Sequence, residues 1–118
     1  MSAISNLFLN RTVVKNHQGN YINLPTYFKG MKVGLLFSAA WCKPCTKMTP
    51  EIIKYYENNN GGKDFEIIYI SGDVDEMQFQ KYYSKMPWFA LDFDETAMIV
   101  RYLYSFFLIY FVYIQNTA

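Results

Sequence analysis

Apolar positions along the chain gather into two dense runs with amphipathic stretches between them. Val33 to Ser38 is almost wholly apolar, and Phe65 to Ser71 repeats the pattern. Short runs of this kind suit strands buried on both faces of a sheet. Between them, Thr46 to Tyr56 has helical spacing, with Met48, Ile52, Tyr55 and Tyr56 near one face and Pro50 expected to kink it. Asn58-Asn59-Asn60-Gly61-Gly62 stops that helix. After the second run, Asp73 or Asp75 is placed to cap a helix that holds Met77, Phe79, Tyr82 and Tyr83, and Met86 to Leu91 reads as extended chain or loop. Nearer the start, Leu7 to Leu9 and Thr12 to Val14 read as short strands. His17 to Asn20 reads as a turn, Tyr21 to Asn23 as the return strand of a hairpin, and Leu24 to Phe28 as one helical turn. Two buried strands joined by a helix form a right-handed βαβ unit, so the fold class is α/β.

Length and charge narrow this picture. The 118 residues make one domain, and a net charge of +1 argues against a polyanion binder that works by bulk charge. A hydrophobic content of 52% excludes a disordered chain. Two cysteines cannot build a multi-disulfide secreted scaffold. Asn6, Asn10 and Arg11 interrupt the N-terminal stretch where a secretory leader would need an unbroken apolar segment, so a cytoplasmic (or nuclear) location is expected.

Cys42-Lys43-Pro44-Cys45 stands where the first buried run meets the helix. Two cysteines three apart on a first helical turn bring their sulfurs to bonding distance. The first sulfur then lies over free backbone N–H groups at the positive end of the helix dipole, which favours the thiolate. Cys42 is therefore read as the exposed catalytic nucleophile and Cys45 as the resolving thiol. Pro44 stiffens the turn, Lys43 sets a cation beside the sulfur, and Trp41 offers a flat apolar contact to a partner. A closed zinc site needs four ligands, and His17 alone remains to join the two cysteines, so no metal is expected. No cofactor is expected beyond the redox-active cysteine pair itself.

Phe37-Ser38-Ala39-Ala40-Trp41-Cys42-Lys43-Pro44-Cys45, with Pro50 five residues on, resembles the thioredoxin superfamily. More narrowly, it is similar to the approach to the dithiol in tryparedoxins and nucleoredoxins. A second stretch of that branch is matched by Ser71-Gly72-Asp73-Val74-Asp75-Glu76, then Phe79, Tyr82 and Tyr83, then Met86-Pro87-Trp88-Phe89-Ala90-Leu91. The resemblance covers about residues 7–93. It implies a thioredoxin-like fold and a thiol–disulfide oxidoreductase. Such an enzyme takes electrons from an upstream dithiol or reductase donor and reduces protein disulfides, such as those of peroxiredoxins. It also implies that the Met-Pro-Trp segment lies near the dithiol, where Pro87 and Trp88 form part of the partner surface; the alternative for Trp88 is a packed loop anchor. Nucleic acid is not among the expected partners.

Several positions depart from that pattern. Lys43 stands where the family has Pro, as does Asp92, and Leu36 is apolar where relatives carry a buried polar group. The family's Ile-Pro-Thr-like segment, expected near Phe111 or Val112, is absent. Residues 102–118 hold seven aromatic side chains, Tyr102, Tyr104, Phe106, Phe107, Tyr110, Phe111 and Tyr113. The expected organisation is thus a thioredoxin-like domain over 1–95, lacking the C-terminal hairpin and last helix, and a divergent tail over 96–118. The thirteen uncharged residues from Tyr102 to Ile114 fall short of the about 20 needed to span a bilayer. A helix from Thr96 to Tyr104 and a strand from Phe106 to Ile114 are preferred over a membrane anchor. The competing functional reading is a truncated, catalytically weak isoform acting as a binding or membrane-tethered module.

Overall fold

A computed structural model of the chain describes residues 13–23, 31–94 and 110–115. The two apolar runs form the paired strands at its centre. β3 (Lys32–Ser38) and β4 (Phe65–Ser71) lie parallel, with Lys32 opposite Phe65 and Ser38 opposite Ser71. Six of the seven residues in each strand are buried, as expected for strands covered on both faces.

The remaining strands extend this pair on both sides. β1 (Val13–Lys15) and β2 (Tyr21–Asn23) form an antiparallel hairpin across the turn expected at residues 17–20, where Gly19 takes a φ of 83°. β5 (Phe89–Leu91) joins β4 in parallel and β1 antiparallel. β6 (Tyr110–Gln115) runs antiparallel to β3, with Phe111 opposite Leu36 and Val112 opposite Leu35. The sheet order is β2-β1-β5-β4-β3-β6. Residues 110–115 of the aromatic tail are therefore a strand of the main sheet. Among the described residues, no helix is long and apolar enough to cross a membrane. The strand expected at 7–9 and the helices expected at 24–28 and 96–104 lie outside the described residues.

Two helices connect the parallel strands: α1 (Lys43–Asn58) between β3 and β4, and α2 (Glu76–Tyr83) between β4 and β5. Both crossovers progress the same way along the sheet, so right-handed connections set both helices on one face. A bond between the hydroxyls of Thr49 and Tyr82, at 2.7 Å, joins them. Helix α1 continues through Pro50 as one element and begins earlier than its apolar spacing announces, because Cys42 caps it. Asp75, not Asp73, caps α2, accepting the Gln78 N–H at 2.8 Å.

Aromatic rings fill the space between α2 and the sheet. Tyr69 stacks on Phe79, which stacks on Tyr83, with centroids 5.9 and 5.7 Å apart. The apolar spacing of the helices sorts differently from expectation. Cys45, Thr49 and Tyr56 are the buried residues of α1. Met48 and Tyr55 instead border an apolar groove of about 720 Å³ with Ile52, Phe65 and Ile67. Met77 on α2 points to solvent, while Phe79, Tyr82 and Tyr83 are buried.

Candidate active site

The end of β3 delivers the dithiol. After Ser38 the chain turns, with the Cys42 N–H bonded to the Ala39 carbonyl at 3.2 Å, and α1 begins. Cys42 occupies the N-cap with extended backbone (φ −88°, ψ 108°), and its carbonyl accepts the Thr46 N–H at 3.0 Å. The Cys42 sulfur accepts the Cys45 N–H at 3.3 Å, in the way a Ser or Asp side chain caps a helix. Lys43 and Pro44 fill the first two helical positions. The N–H that Pro44 lacks is one the helix leaves unpaired in any case.

Cys42 and Cys45 form a disulfide, with Cα atoms 5.2 Å apart. Cys45 is fully buried and Cys42 is 5% exposed. The oxidised state thus shows a narrow opening at Cys42 rather than a freely exposed sulfur. Trp41, 49% exposed, stands beside it. Its indole N–H donates to the Gly72 carbonyl at 2.7 Å, which fixes the plane of the ring.

A polar network beneath the turn went unread in the sequence. Asp73 is 7% exposed and uses both carboxyl oxygens as acceptors. Oδ1 takes the Ala40 N–H at 2.7 Å, while Oδ2 takes the hydroxyls of Tyr69 and Ser71, each at 2.6 Å. Burial, with the Asp73 charge adding to it, holds the Tyr69 hydroxyl well above the ordinary tyrosine range, so it stays a donor. The Gly72 N–H closes the arrangement on the Ser38 carbonyl at 2.8 Å. Together these bonds tie the loop after β4 to the loop that carries Trp41 and Cys42.

A second set of hydroxyls lies on the other side. Thr49 donates to the Cys45 carbonyl at 2.8 Å, which leaves Tyr82 as the donor to Thr49 and Ser38 as the donor to Tyr82, at 3.1 Å. The order Ser38, Tyr82, Thr49, Cys45 follows from one proton per hydroxyl. With Leu36 apolar and fully buried, these hydroxyls are the polar groups packed next to the resolving cysteine's backbone. Signals for the network existed in the sequence, in the Ser-x-Asp of Ser71 and Asp73 and the Tyr pair of α2, but no spacing rule connects them to Ala40.

Pro87 and Trp88 do not join the site. Phe89 is level with Ile68, which is level with Leu35, so Trp88 precedes the height of Leu35 while the dithiol follows Ser38. Helix α2 has to run back along the strands before β5 can join in parallel, which carries this segment into the N-terminal half of the central strands, away from the dithiol. Trp88 is 1% exposed and packs edge-on to Tyr56 with centroids 5.4 Å apart, so its ring anchors the core. Pro87 is exposed, but on that segment, away from the dithiol. His17 stacks on Tyr83 at 4.2 Å and donates to the Met86 carbonyl, so it fastens the hairpin rather than serving the dithiol. Asp92, another departure from the family pattern, accepts the Tyr21 hydroxyl and ties β2 to the chain after β5.

A family model described as thioredoxin-like matches residues 30–106, which takes in the dithiol, both helices and the parallel strands. The chain belongs to the thioredoxin-like family. It is similar to tryparedoxin of Trypanosoma brucei brucei, 46% identical over 70 residues that make up 59% of this chain and 49% of that one. It is equally similar to probable nucleoredoxin 1 of Arabidopsis thaliana, 46% identical over 67 residues, 57% of this chain and 12% of the relative. The thioredoxin-like chain thus spans about half or less of these curated relatives. In three dimensions it resembles the solved tryparedoxin from Trypanosoma brucei with a TM-score of 0.80 and 31% identity, covering all of this chain and 84% of that one. The family is one of oxidoreductases, and the Cys42–Cys45 pair supplies the group that such chemistry uses.

Proposed function

We propose that this chain is a thiol–disulfide oxidoreductase that reduces protein disulfides through Trp41-Cys42-Lys43-Pro44-Cys45, with Cys42 as nucleophile and Cys45 as resolving thiol. The observation that carries the reading is the position of Cys42: N-cap of α1, its sulfur against the Cys45 N–H, and the one cysteine of the pair with any exposure. In the reduced protein the same N–H and the helix dipole stabilise a thiolate there. That thiolate attacks one sulfur of a partner disulfide, forming a mixed disulfide and releasing the other partner sulfur as a thiol. Cys45 then attacks the Cys42 sulfur, closing the internal disulfide and releasing the second partner thiol. Two electrons and two protons pass to the partner, and an upstream dithiol restores the pair. Peroxiredoxin-type proteins are suitable partners, and the site requires neither metal nor organic cofactor. Reduction of insulin by the dithiothreitol-maintained protein tests this. Wild type is expected to accelerate insulin reduction and Cys42→Ser to abolish the acceleration; equal rates for the two would sink the reading.

A further inference from the structure

The cleft between the two helices opens beside the dithiol. It measures about 390 Å³ and is lined by residues of α1 (Thr46, Thr49, Pro50 and Ile53), residues of α2 (Gln78, Lys81 and Tyr82), and Ala40 and Lys85. Ala40 lies two residues before Cys42, and Thr46 directly follows Cys45, so one mouth of the cleft is at the redox pair. Its floor is apolar and hydroxyl-bearing. Its rim carries two lysines and, among the described residues, no carboxylate.

The charges around it reinforce that imbalance. Helical spacing sets Lys43, Lys47 and the lining residue Pro50 along one stripe of α1, with both lysines exposed. Lys81 on α2 and Lys85 just past its end line the other wall of the cleft, and neither forms an ion pair among the described residues. The acids nearest in sequence are placed otherwise. Glu51, next in sequence to Pro50, lines the separate groove bordered by Met48 and Tyr55, Asp75 and Glu76 accept hydrogen bonds from Gln78 and Gln80, and Glu57 lies one turn beyond Ile53, at the end away from the dithiol. The chain as a whole carries only +1, so this concentration is local.

We propose that this cleft docks an acidic segment of the disulfide-bearing partner protein, with its carboxylates against Lys81 and Lys85 while the partner's cysteine meets Cys42. The proposal rests on the oxidoreductase reading and names the partner's chemistry. Lys81 lies about 8 Å along α2 from its start at 1.5 Å per residue, and Lys85 lies two residues past the end of that helix. An extended segment at about 3.3 Å per residue therefore brings an acid level with Lys81 about two to three residues along, with further acids continuing toward Lys85.

Two assays decide it. In the first, the reduced protein is mixed with disulfide-linked peptides whose flanks carry four Asp or four Gln, and the rate is read by Trp41 fluorescence at 20 mM and 500 mM salt, taken as roughly the low- and high-screening limits. Wild type is expected to reduce the Asp peptide about tenfold faster at low salt, and Lys81→Gln/Lys85→Gln to lose the advantage while reducing hydroxyethyl disulfide, which is small and neutral, at the wild-type rate. Lys81→Arg/Lys85→Arg keeps the advantage, and Lys32→Gln/Lys63→Gln, at the far end of the sheet, also keeps it. Equal rates for the two peptides, or an equal loss from Lys32→Gln/Lys63→Gln, would overturn the proposal. In the second assay, the oxidised protein is titrated with a cysteine-free, fluorescein-labelled Asp peptide. Binding weakened by Lys81→Gln/Lys85→Gln supports the cleft, and binding unaffected by it contradicts the cleft. This arm holds even if hydroxyethyl disulfide is not reduced, an outcome that would count against the oxidoreductase reading alone.

Discussion

Asp73 Oδ1 accepts the Ala40 N–H at 2.7 Å, and through this one bond the loop after β4 holds the loop that presents Trp41 and Cys42. The same carboxylate satisfies two hydroxyls. Replacement by Ala leaves the Ala40 N–H and the Ser71 hydroxyl without this acceptor and the Tyr69 hydroxyl with the Ser38 carbonyl at 3.2 Å, and is expected to destabilise the fold by about 2–4 kcal/mol in urea unfolding. Asp73→Asn is milder, because an amide oxygen still serves Ala40 and the two hydroxyls can rotate to accept from the amide. Both variants are expected to slow insulin reduction under conditions where they remain folded. A wild-type rate in Asp73→Asn would show that the loop does not need this tie.

Glu66 makes stability depend on pH. It is 3% exposed, and burial outweighs the bonds it accepts from the Tyr56 hydroxyl and the Ile67 N–H, raising its carboxyl above the ordinary 4.5. The folded state then holds this proton more tightly than the unfolded state. The contribution is complete below pH 4.5 and falls as pH rises through the folded value. Glu66→Gln keeps the bonding oxygen without the charge. Its Tm is expected to exceed that of wild type at pH 8 and to converge with it near pH 4. A constant difference across that range would contradict the assignment.

Gly61 is held by a packing constraint at the end of α1. A Cβ there would come within 2.3 to 2.6 Å of the Tyr56 ring, and that ring is 8% exposed and wedged against Phe65 and Trp88. Gly61→Ala is expected to cost about 1–3 kcal/mol, read as a lower urea midpoint with an unchanged slope. Tyr56→Leu combined with Gly61→Ala should recover part of the loss if the clash is the cause.

Trp88 separates a core role from a surface role. Trp88→Ala is expected to lose about 3–5 kcal/mol of stability. Trp88→Phe loses less, because the indole N–H it removes has no hydrogen-bond partner among the described residues. The rate of insulin reduction per folded molecule is expected to stay at the wild-type level in Trp88→Phe. A rate loss exceeding the loss of folded protein would return this residue to the partner surface.

The legible parts of the chain were those where one period or one spacing decides the structure. Apolar runs marked β3 and β4, and the dithiol at their junction with α1 marked the site. Trp88 stayed open between a partner surface and a packed anchor because an aromatic residue beside a proline in a loop has no period, and the return path of α2 decides where along the sheet it sits. Asp73 and Asp75 are equivalent as cap candidates in sequence. The choice between them is made by Ala40, Tyr69 and Ser71, which only the sheet brings together. Met48 and Tyr55 match a buried helix face by spacing, yet the sheet lies under Cys45, Thr49 and Tyr56.

In the proposed reaction Cys42 attacks and Cys45 resolves, and covalent trapping separates these two roles. Cys45→Ser and Cys42→Ser variants, incubated with an oxidised peptide disulfide, are analysed intact by mass spectrometry. Cys45→Ser is expected to accumulate the peptide as a mixed disulfide on Cys42, while Cys42→Ser, whose remaining thiol is fully buried, accumulates little. Equal trapping by the two variants, or faster trapping by Cys42→Ser, would contradict the account.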